Sequence, residues 1–333
     1  MKDYVICCDW GTTNLRIRLI DAANLMVIDE ELSSEGVSSV FDQWNEKDGN
    51  ADLSDRIHFY LTRLKAYIDK LTDRNAGVGT VPVIISGMAS SSVGMMELPY
   101  AELPFPISGE YASAYYLAIT HEFGRPMVLL SGVKGDEEVM RGEESQLIGI
   151  ADRLEEGNQT NNTIVILPGT HSKHVYIDQG QMIGMRTYIT GELFSALAKN
   201  GLTKESIKPP AIPYGKNDWD AFHAGIVESG KSDMLSALFK VRINQLFNKM
   251  AKEENYQFMS GLLIGSELRN LPCNKPDHIV LCSEANLFEY YAHALEFLGL
   301  NSNTSYIDPE ETAQATIRGQ LKIAKRYLKN EGI

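Results

Sequence analysis

The chain has 333 residues, 44% of them hydrophobic and 23% charged, with a net charge of −13 and a pI near 5.1. That length sets an expectation of two domains of roughly 150 residues each. So acidic a chain lacks the basic face that grips nucleic acid or an anionic membrane, so neither is an expected partner and any phosphate must be held by local donors.

The amino terminus, MKDYVICCDW, has no extended apolar core of signal-peptide type, and no later run approaches the roughly 18 residues of a spanning helix, so a cytoplasmic location is expected. Cys7, Cys8, Cys273 and Cys282 show no metal-ligand spacing and lie in or beside apolar strand-like stretches. They read as buried free thiols in a reducing compartment, with no structural zinc.

In chain order, YVICC (4–8) and IRLID (17–21) read as two strands around DWGTTNLR (9–16), with Gly11, Thr12 and Thr13 at the turn. LMVIDEEL continues as a third strand. Residues 53–71 carry apolar side chains at helical spacings, and VPVIIS (81–86) is a buried strand ending at Gly87. IVILPGTHSKHVYID (164–178) then repeats the opening pattern: apolar strand, Gly-Thr turn, second strand closing in Ile-Asp, with QMIGMRTYI as its third run. This predicts a duplicated β-meander, one per domain. KPPAIPYGKND (208–218) is a Pro-rich surface loop. Residues 233–247, 258–271 and 284–299 read as helices, with HIVLCS (278–283) a strand before the last. Such alternation predicts α/β layers, here divided as residues 1–135 and 136–333.

A carboxylate, a glycine and hydroxyls at one hairpin tip exceed what a turn requires. Two such tips facing each other across an interdomain cleft can offer backbone N–H groups and hydroxyls to a nucleotide's phosphates, since glycine lets the backbone approach an anion closely. Asp9 would hold Mg2+, through water, because that ion keeps much of its hydration. The competing reading is two ordinary β-turns with Asp9 as a turn-stabilising residue.

DWGTTNLR and LPGTHSKHV resemble the two phosphate motifs of the sugar-kinase, heat-shock-70 and actin superfamily, whose α/β fold is ribonuclease H-like. More narrowly, DWGTTNLR, SGMASSSVG, VMRGEESQLIG, LPGTHSKHV, TGELFSAL and SGLLIGSEL, in this order, are similar to the 2-dehydro-3-deoxygalactonokinase family over nearly the whole chain. The resemblance implies ATP-dependent, Mg2+-assisted phosphorylation of the terminal (6-) hydroxyl of 2-dehydro-3-deoxy-D-galactonate, in galactonate catabolism. The alternatives are a kinase for another sugar or sugar acid and a non-catalytic ATP-binding member. A homodimer is left open.

On this reading Asp9, Gly11, Thr12, Thr13, Asn14, Gly169, Thr170, His171 and Lys173 contact the nucleotide phosphates and their metal. In related kinases a strand, a glycine-rich turn and a helix cradle the adenosine. Here Cys282 and Ser283 replace the expected small residues, which leaves Ser283 and Glu284 for the ribose and Gly261 and Gly265 for packing of the base or, equally, of another helix. A carboxylate must take the hydroxyl proton; Glu143 is the first choice, with Glu144 and Asp136 beside it, and helix N-terminal acids favoured by the dipole are the competing reading. Arg16, Arg141 and Arg186 are candidates to hold the substrate carboxylate bidentately, and Ser86, Gly87, Met88 and Gly94 supply small groups at a strand end, where ligands of α/β sheets commonly bind.

Overall fold

Two apolar runs at the amino terminus pair antiparallel as β1 (Tyr4–Trp10) and β2 (Leu15–Asp21), with Asp9 opposite Arg16, and β3 (Met26–Ser33) completes the meander. The computed structural model describes residues 4–47, 52–75, 77–121, 123–201, 203–212, 214–272 and 276–330; Cys273 lies outside them. After the meander come α1 (Val37–Lys47), α2 (Leu53–Arg74), β4 (Val83–Gly87), the short strands β5 (Ala101–Glu102) and β6 (Phe105–Pro106), β7 (Ala114–Leu117), β8 (Met127–Leu130), β9 (Val133–Lys134), β10 (Val139–Met140) and α3 (Glu143–Glu156). The second meander is β11 (Thr163–Leu167), β12 (Ser172–Asp178) and β13 (Gln181–Tyr188). It is followed by α4 (Thr190–Lys199), α5 (Lys216–Ser229), α6 (Met234–Leu246), α7 (Lys252–Leu268), β14 (His278–Cys282), α8 (Ala285–Phe297), β15 (Thr304–Ile307) and α9 (Pro309–Asn330).

The chain divides into two compact units. Unit 1 is Met1–Thr160, Gly180–Gly184 and Glu311–Ile333; unit 2 is Asn161–Gln179 and Met185–Glu310. The expected boundary at residue 135 is therefore displaced, for a steric reason. Helix α3 packs in unit 1 against the returning α9, so tightly that a Cβ on Gly149 would lie 1.8 Å from the Ala315 carbonyl oxygen and one on Gly319 1.8 Å from that of Ser145. Amphipathic periodicity marks α3 as covering a sheet without saying which one.

In unit 1 the sheet runs β3-β2-β1-β4-β8-β7, with β1, β4 and β8 parallel. Strand alternation sends Ile6, Cys8 and Trp10 into a core with Val83, Ile85 and, from α2, Tyr60, Leu64 and Ile68. The opposite face therefore carries Cys7 and Asp9 of β1, with Arg16 and Ser86 in register with Asp9, and α9 bonds to this sheet through Gln320 and through the Ala313 carbonyl, which accepts from Arg18. In unit 2 strands β15-β14-β11-β12-β13 are neighbours, and Ile164, Ile166, Ile279 and Leu281 form a core with Phe222 and Ile226 of α5, Ile264 of α7 and Tyr290 and Tyr291 of α8. Among the described residues no helix is long and apolar enough to cross a membrane. Cys7, Cys8 and Cys282 are buried and not joined in a disulfide.

Candidate active site

The first hairpin tip is closed by a bond from the Gly11 N–H to the Asn14 carbonyl at 2.9 Å. Its outer carbonyls are then collared by the start of α1: the Gly11 carbonyl accepts from Val37 N at 2.9 Å and the Thr12 carbonyl from Ser38 N at 3.1 Å. A trans peptide points its N–H opposite to its C=O, so the Thr12 and Thr13 amides are directed away from α1. Gly36 makes the collar possible, since a Cβ there would lie 2.3 Å from the Thr12 carbonyl oxygen.

Unit 2 repeats the device. Glu192 N, in the first turn of α4, donates to the Thr170 carbonyl at 2.9 Å, which directs the His171 amide outward, and a Cβ on Gly191 would come 2.4 Å from the Gly169 carbonyl oxygen. The His171 ring nitrogen Nε2 meets the Glu192 carboxylate at 2.5 Å. Gly36 and Gly191 were not singled out from sequence. Their signal was present: each stands at the start of the helix that follows a meander.

The tip glycines behave differently from these two. Neither Gly11 nor Gly169 has a positive φ, and a Cβ would meet nothing closer than the Asn14 carbonyl oxygen at 3.5 Å in the first case and the His171 carbonyl oxygen at 4.0 Å in the second. The fold leaves space above both.

Beneath the first tip, three elements of unit 1 converge at the carboxyl ends of β1 and β4. Gly87 has φ 88°, and a Cβ there would lie 2.6 Å from the Trp10 carbonyl oxygen and 3.3 Å from Asp9 Oδ1; Gly142, at the start of α3 with φ 116°, would place its Cβ 3.2 Å from Gly87 Cα. Both glycines are required by backbone conformation and by space. They leave a corner bounded by the half-buried Asp9 carboxylate and the amino terminus of α3. Arg16, half-buried, sits in register beside Asp9. An oxygen donor of this type suits Mg2+, which takes one or two carboxylates and keeps water. Among the described residues no three His, Cys, Asp or Glu side chains gather into a metal cage.

The acids at the head of α3 fold back onto the backbone that leads into it: Glu143 accepts from Arg141 N at 3.1 Å and Glu144 from Gly142 N at 2.6 Å. They differ in access: Glu143 is half-buried, whereas Glu144 is 1% exposed, with its carboxyl pushed up to about 8 by burial first and by the neighbouring Glu143 charge second. Asp136 is exposed in the turn between β9 and β10.

Several expected contacts are engaged elsewhere. Arg141 is buried: its guanidinium lies 3.9 Å over the Tyr100 ring and donates to the Ser90 carbonyl at 2.5 Å, the Ser90 hydroxyl at 2.6 Å and the Leu98 carbonyl at 3.3 Å. It braces the 88–98 loop instead of holding a substrate carboxylate. Ser86 is fully buried and its hydroxyl accepts from Gln320 at 2.8 Å, so it presents nothing to a polyol. Gly94 is a packing glycine whose Cβ would strike the Met88 and Ala89 carbonyl oxygens at 2.3 Å. Met88 is half-buried.

Gly261 and Gly265 belong to a crossing of α7 on α5, not to a base site. A Cβ on Gly261 would lie 1.9 Å from the Phe222 carbonyl oxygen, and one on Gly265 2.9 Å from Ile226 Cα. Lys173 is 6% exposed and donates to Thr187 at 2.8 Å, because β12 is buried on both faces from Ser172 to Val175. Ser283 is buried and bonds the Glu284 carbonyl, while Glu284 itself is exposed at the start of α8. Arg186 is exposed, 5.9 Å over the Tyr188 ring. Thr13, Asn14 and Thr170 are exposed tip residues.

Comparison with known proteins gives the site its context. The family model described as 2-keto-3-deoxy-galactonokinase matches residues 9–323. A Rhizobium meliloti protein described as a probable 2-dehydro-3-deoxygalactonokinase is 28% identical over 321 residues, 94% of each chain. The Escherichia coli 2-dehydro-3-deoxygalactonokinase is 29% identical over 309 residues, covering 90% of this chain and 91% of that protein. A crystal structure from Sinorhizobium meliloti, described provisionally as a 2-dehydro-3-deoxygalactonokinase, superposes with a TM-score of 0.76 at 26% identity, covering 97% of this chain and 96% of that one. The two-unit α/β fold, with its duplicated meander, is that of the sugar-kinase, heat-shock-70 and actin superfamily. Within it the match from Asp9 onward, through both hairpins and on into α9, makes this chain a member of the 2-keto-3-deoxy-galactonokinase family, a family of sugar kinases.

Proposed function

We propose that this chain phosphorylates the terminal (6-) hydroxyl of 2-dehydro-3-deoxy-D-galactonate with ATP and Mg2+, as a cytoplasmic enzyme of galactonate catabolism. One observation carries the nucleotide half of this reading. Gly36, Gly87, Gly94 and Gly191 are glycines that the fold's own contacts demand, whereas a Cβ at Gly11 or Gly169 would meet only ordinary van der Waals contact, at 3.5 and 4.0 Å. Their value lies in what approaches from outside the chain, and the outward amides beside them fit an anion.

Under this reading Asp9 holds Mg2+ through water, and the ion, when bound, offsets charge on the transferring phosphate. Glu143, the more accessible of the two α3 acids, receives the proton of the acceptor hydroxyl. Arg16 takes the sugar-acid carboxylate, with Arg186 as the alternative, and Glu284 meets the ribose. The names of the relatives support the choice of acceptor.

The test is an ADP-release assay over a panel of aldonic and 2-keto-3-deoxy acids. Release with 2-dehydro-3-deoxy-D-galactonate at the lowest KM is expected, with phosphate located on O6 by NMR. Preferential turnover of another acid moves the assignment to a different sugar-acid kinase. ATP binding with no turnover on any acid overturns the enzymatic reading.

A further inference from the structure

Behind the second hairpin lies a sealed carboxylate that no step above uses. Glu267 of α7 is 2% exposed and accepts four hydrogen bonds. Its Oε1 takes the Ser172 hydroxyl at 2.6 Å and His174 Nε2 at 2.9 Å, and its Oε2 takes the Thr190 hydroxyl at 2.5 Å and the Tyr291 phenol at 2.7 Å. Burial holds the Tyr291 phenol well above its ordinary range, with the Glu267 charge adding to the shift, so it remains a donor. A buried carboxylate is tolerated when its lone pairs are filled in this way, and removing one donor leaves a group that water cannot reach.

The placement of the donors is the informative part. Ser172 immediately follows the tip, and Thr190 immediately precedes Gly191 and Glu192, the two residues that collar the tip. One carboxylate therefore grips both the strand leaving the tip and the helix start that holds it. Tyr291, on α8, shares Oε2 with Thr190 and reaches an arm only through a long contact of its phenol with the Ser172 hydroxyl, at 3.5 Å.

We propose that Glu267 is a positioning residue that sets the second hairpin for nucleotide phosphate. This rests on the function proposed above, so the experiment pairs a readout that needs no nucleotide with one that does. Thr190→Val and Tyr291→Phe each delete one bond to Oε2, and both are conservative enough in volume to fold; Thr190→Ser is the rescue. Amide exchange of residues 169–173 in the ligand-free protein is expected to quicken most in Thr190→Val, to quicken less in Tyr291→Phe, which gives up only the long Ser172 contact on an arm, and to recover in Thr190→Ser. KM for ATP should follow, rising about five- to tenfold in Thr190→Val and less in Tyr291→Phe, with KM for the sugar acid unchanged. Both variants should lose thermal stability, which a purely structural role also predicts. Unchanged exchange in Thr190→Val, or equal changes in both variants, overturns the inference. Faster exchange with an unchanged KM for ATP overturns it too, by separating the ordered tip from the nucleotide. Should the wild-type protein not use ATP, the proposed function falls and the exchange data still decide whether Glu267 orders the tip.

Discussion

The two meander tips share a backbone device and differ in what stands behind them. Each has a glycine that the chain's own contacts do not demand and a helix start closing over its outer carbonyl. Behind the first, Asp9 keeps a half-buried carboxylate in a corner that Gly87 and Gly142 leave without side chains. Behind the second, Glu267 is sealed and filled by four donors. One copy of the duplicated element thus has a half-buried carboxylate behind it and the other a sealed one. The role of an acid is read from its access, not from its position beside a Gly-Thr turn.

Removing the accessible carboxylate should have the largest effect. Asp9→Asn is expected to lower kcat at saturating Mg2+ by about 10³-fold or more, with the thermal midpoint moving by only about a few degrees. Wild-type turnover in the variant would break the contrast between the hairpins. Next in size is Glu143→Gln, expected to reduce kcat by about 10²- to 10³-fold with ATP binding retained, as for loss of general-base assistance. Asp136→Asn, in an exposed turn, should stay near wild type; a dead Asp136→Asn beside an active Glu143→Gln would transfer the role.

The contrast was only half visible in the sequence. Strand alternation and the two Gly-Thr turns exposed the meanders, because each feature is complete within about twenty neighbouring residues. What stayed hidden depends on partners far along the chain. Ser86 reads as a polyol ligand until Gln320, 234 positions away, is seen on its hydroxyl. Arg141 reads as a carboxylate clamp until it is found on Ser90 and Leu98. Gly261 has the same signature whether it faces a base or the Phe222 carbonyl. Glu267, in a motif quoted for family resemblance, has no local feature that distinguishes it from a surface acid.

Glycine substitutions sharpen the comparison at moderate size. Gly169→Ala should raise KM for ATP by about tenfold while leaving the thermal midpoint within about two degrees, since its methyl group would come no closer than 4.0 Å to the His171 carbonyl oxygen. Gly191→Ala and Gly261→Ala should do the opposite to stability. Each drives a methyl group into a backbone carbonyl, an overpacking that costs about 1–3 kcal/mol or more and several degrees in a chain of this size. For Gly261→Ala, KM for ATP should not move in the folded protein; a selective rise would return that glycine to the nucleotide site.

The smallest effect concerns the acid beside the proposed base. Glu144 titrates at about 8 in the folded protein against an ordinary 4.5, raised by burial and by Glu143. Between those values the folded state keeps a proton that the unfolded chain has released, so stability falls as pH rises through that window and levels off above it. Glutamine carries no such proton, and its amide can accept from Gly142 N while donating to Ser145 Oγ, the two groups Glu144 now touches. Glu144→Gln should therefore flatten the thermal midpoint between pH 5 and 8 and gain most on the wild type at the alkaline end. Glu143→Gln, which removes only the neighbouring charge, should instead shift the sloping window to lower pH. Calorimetry at four pH values on the three proteins checks this; parallel curves for wild type and Glu144→Gln would mean that Glu144 is ionised throughout, and would reopen the choice of base between the two acids of α3.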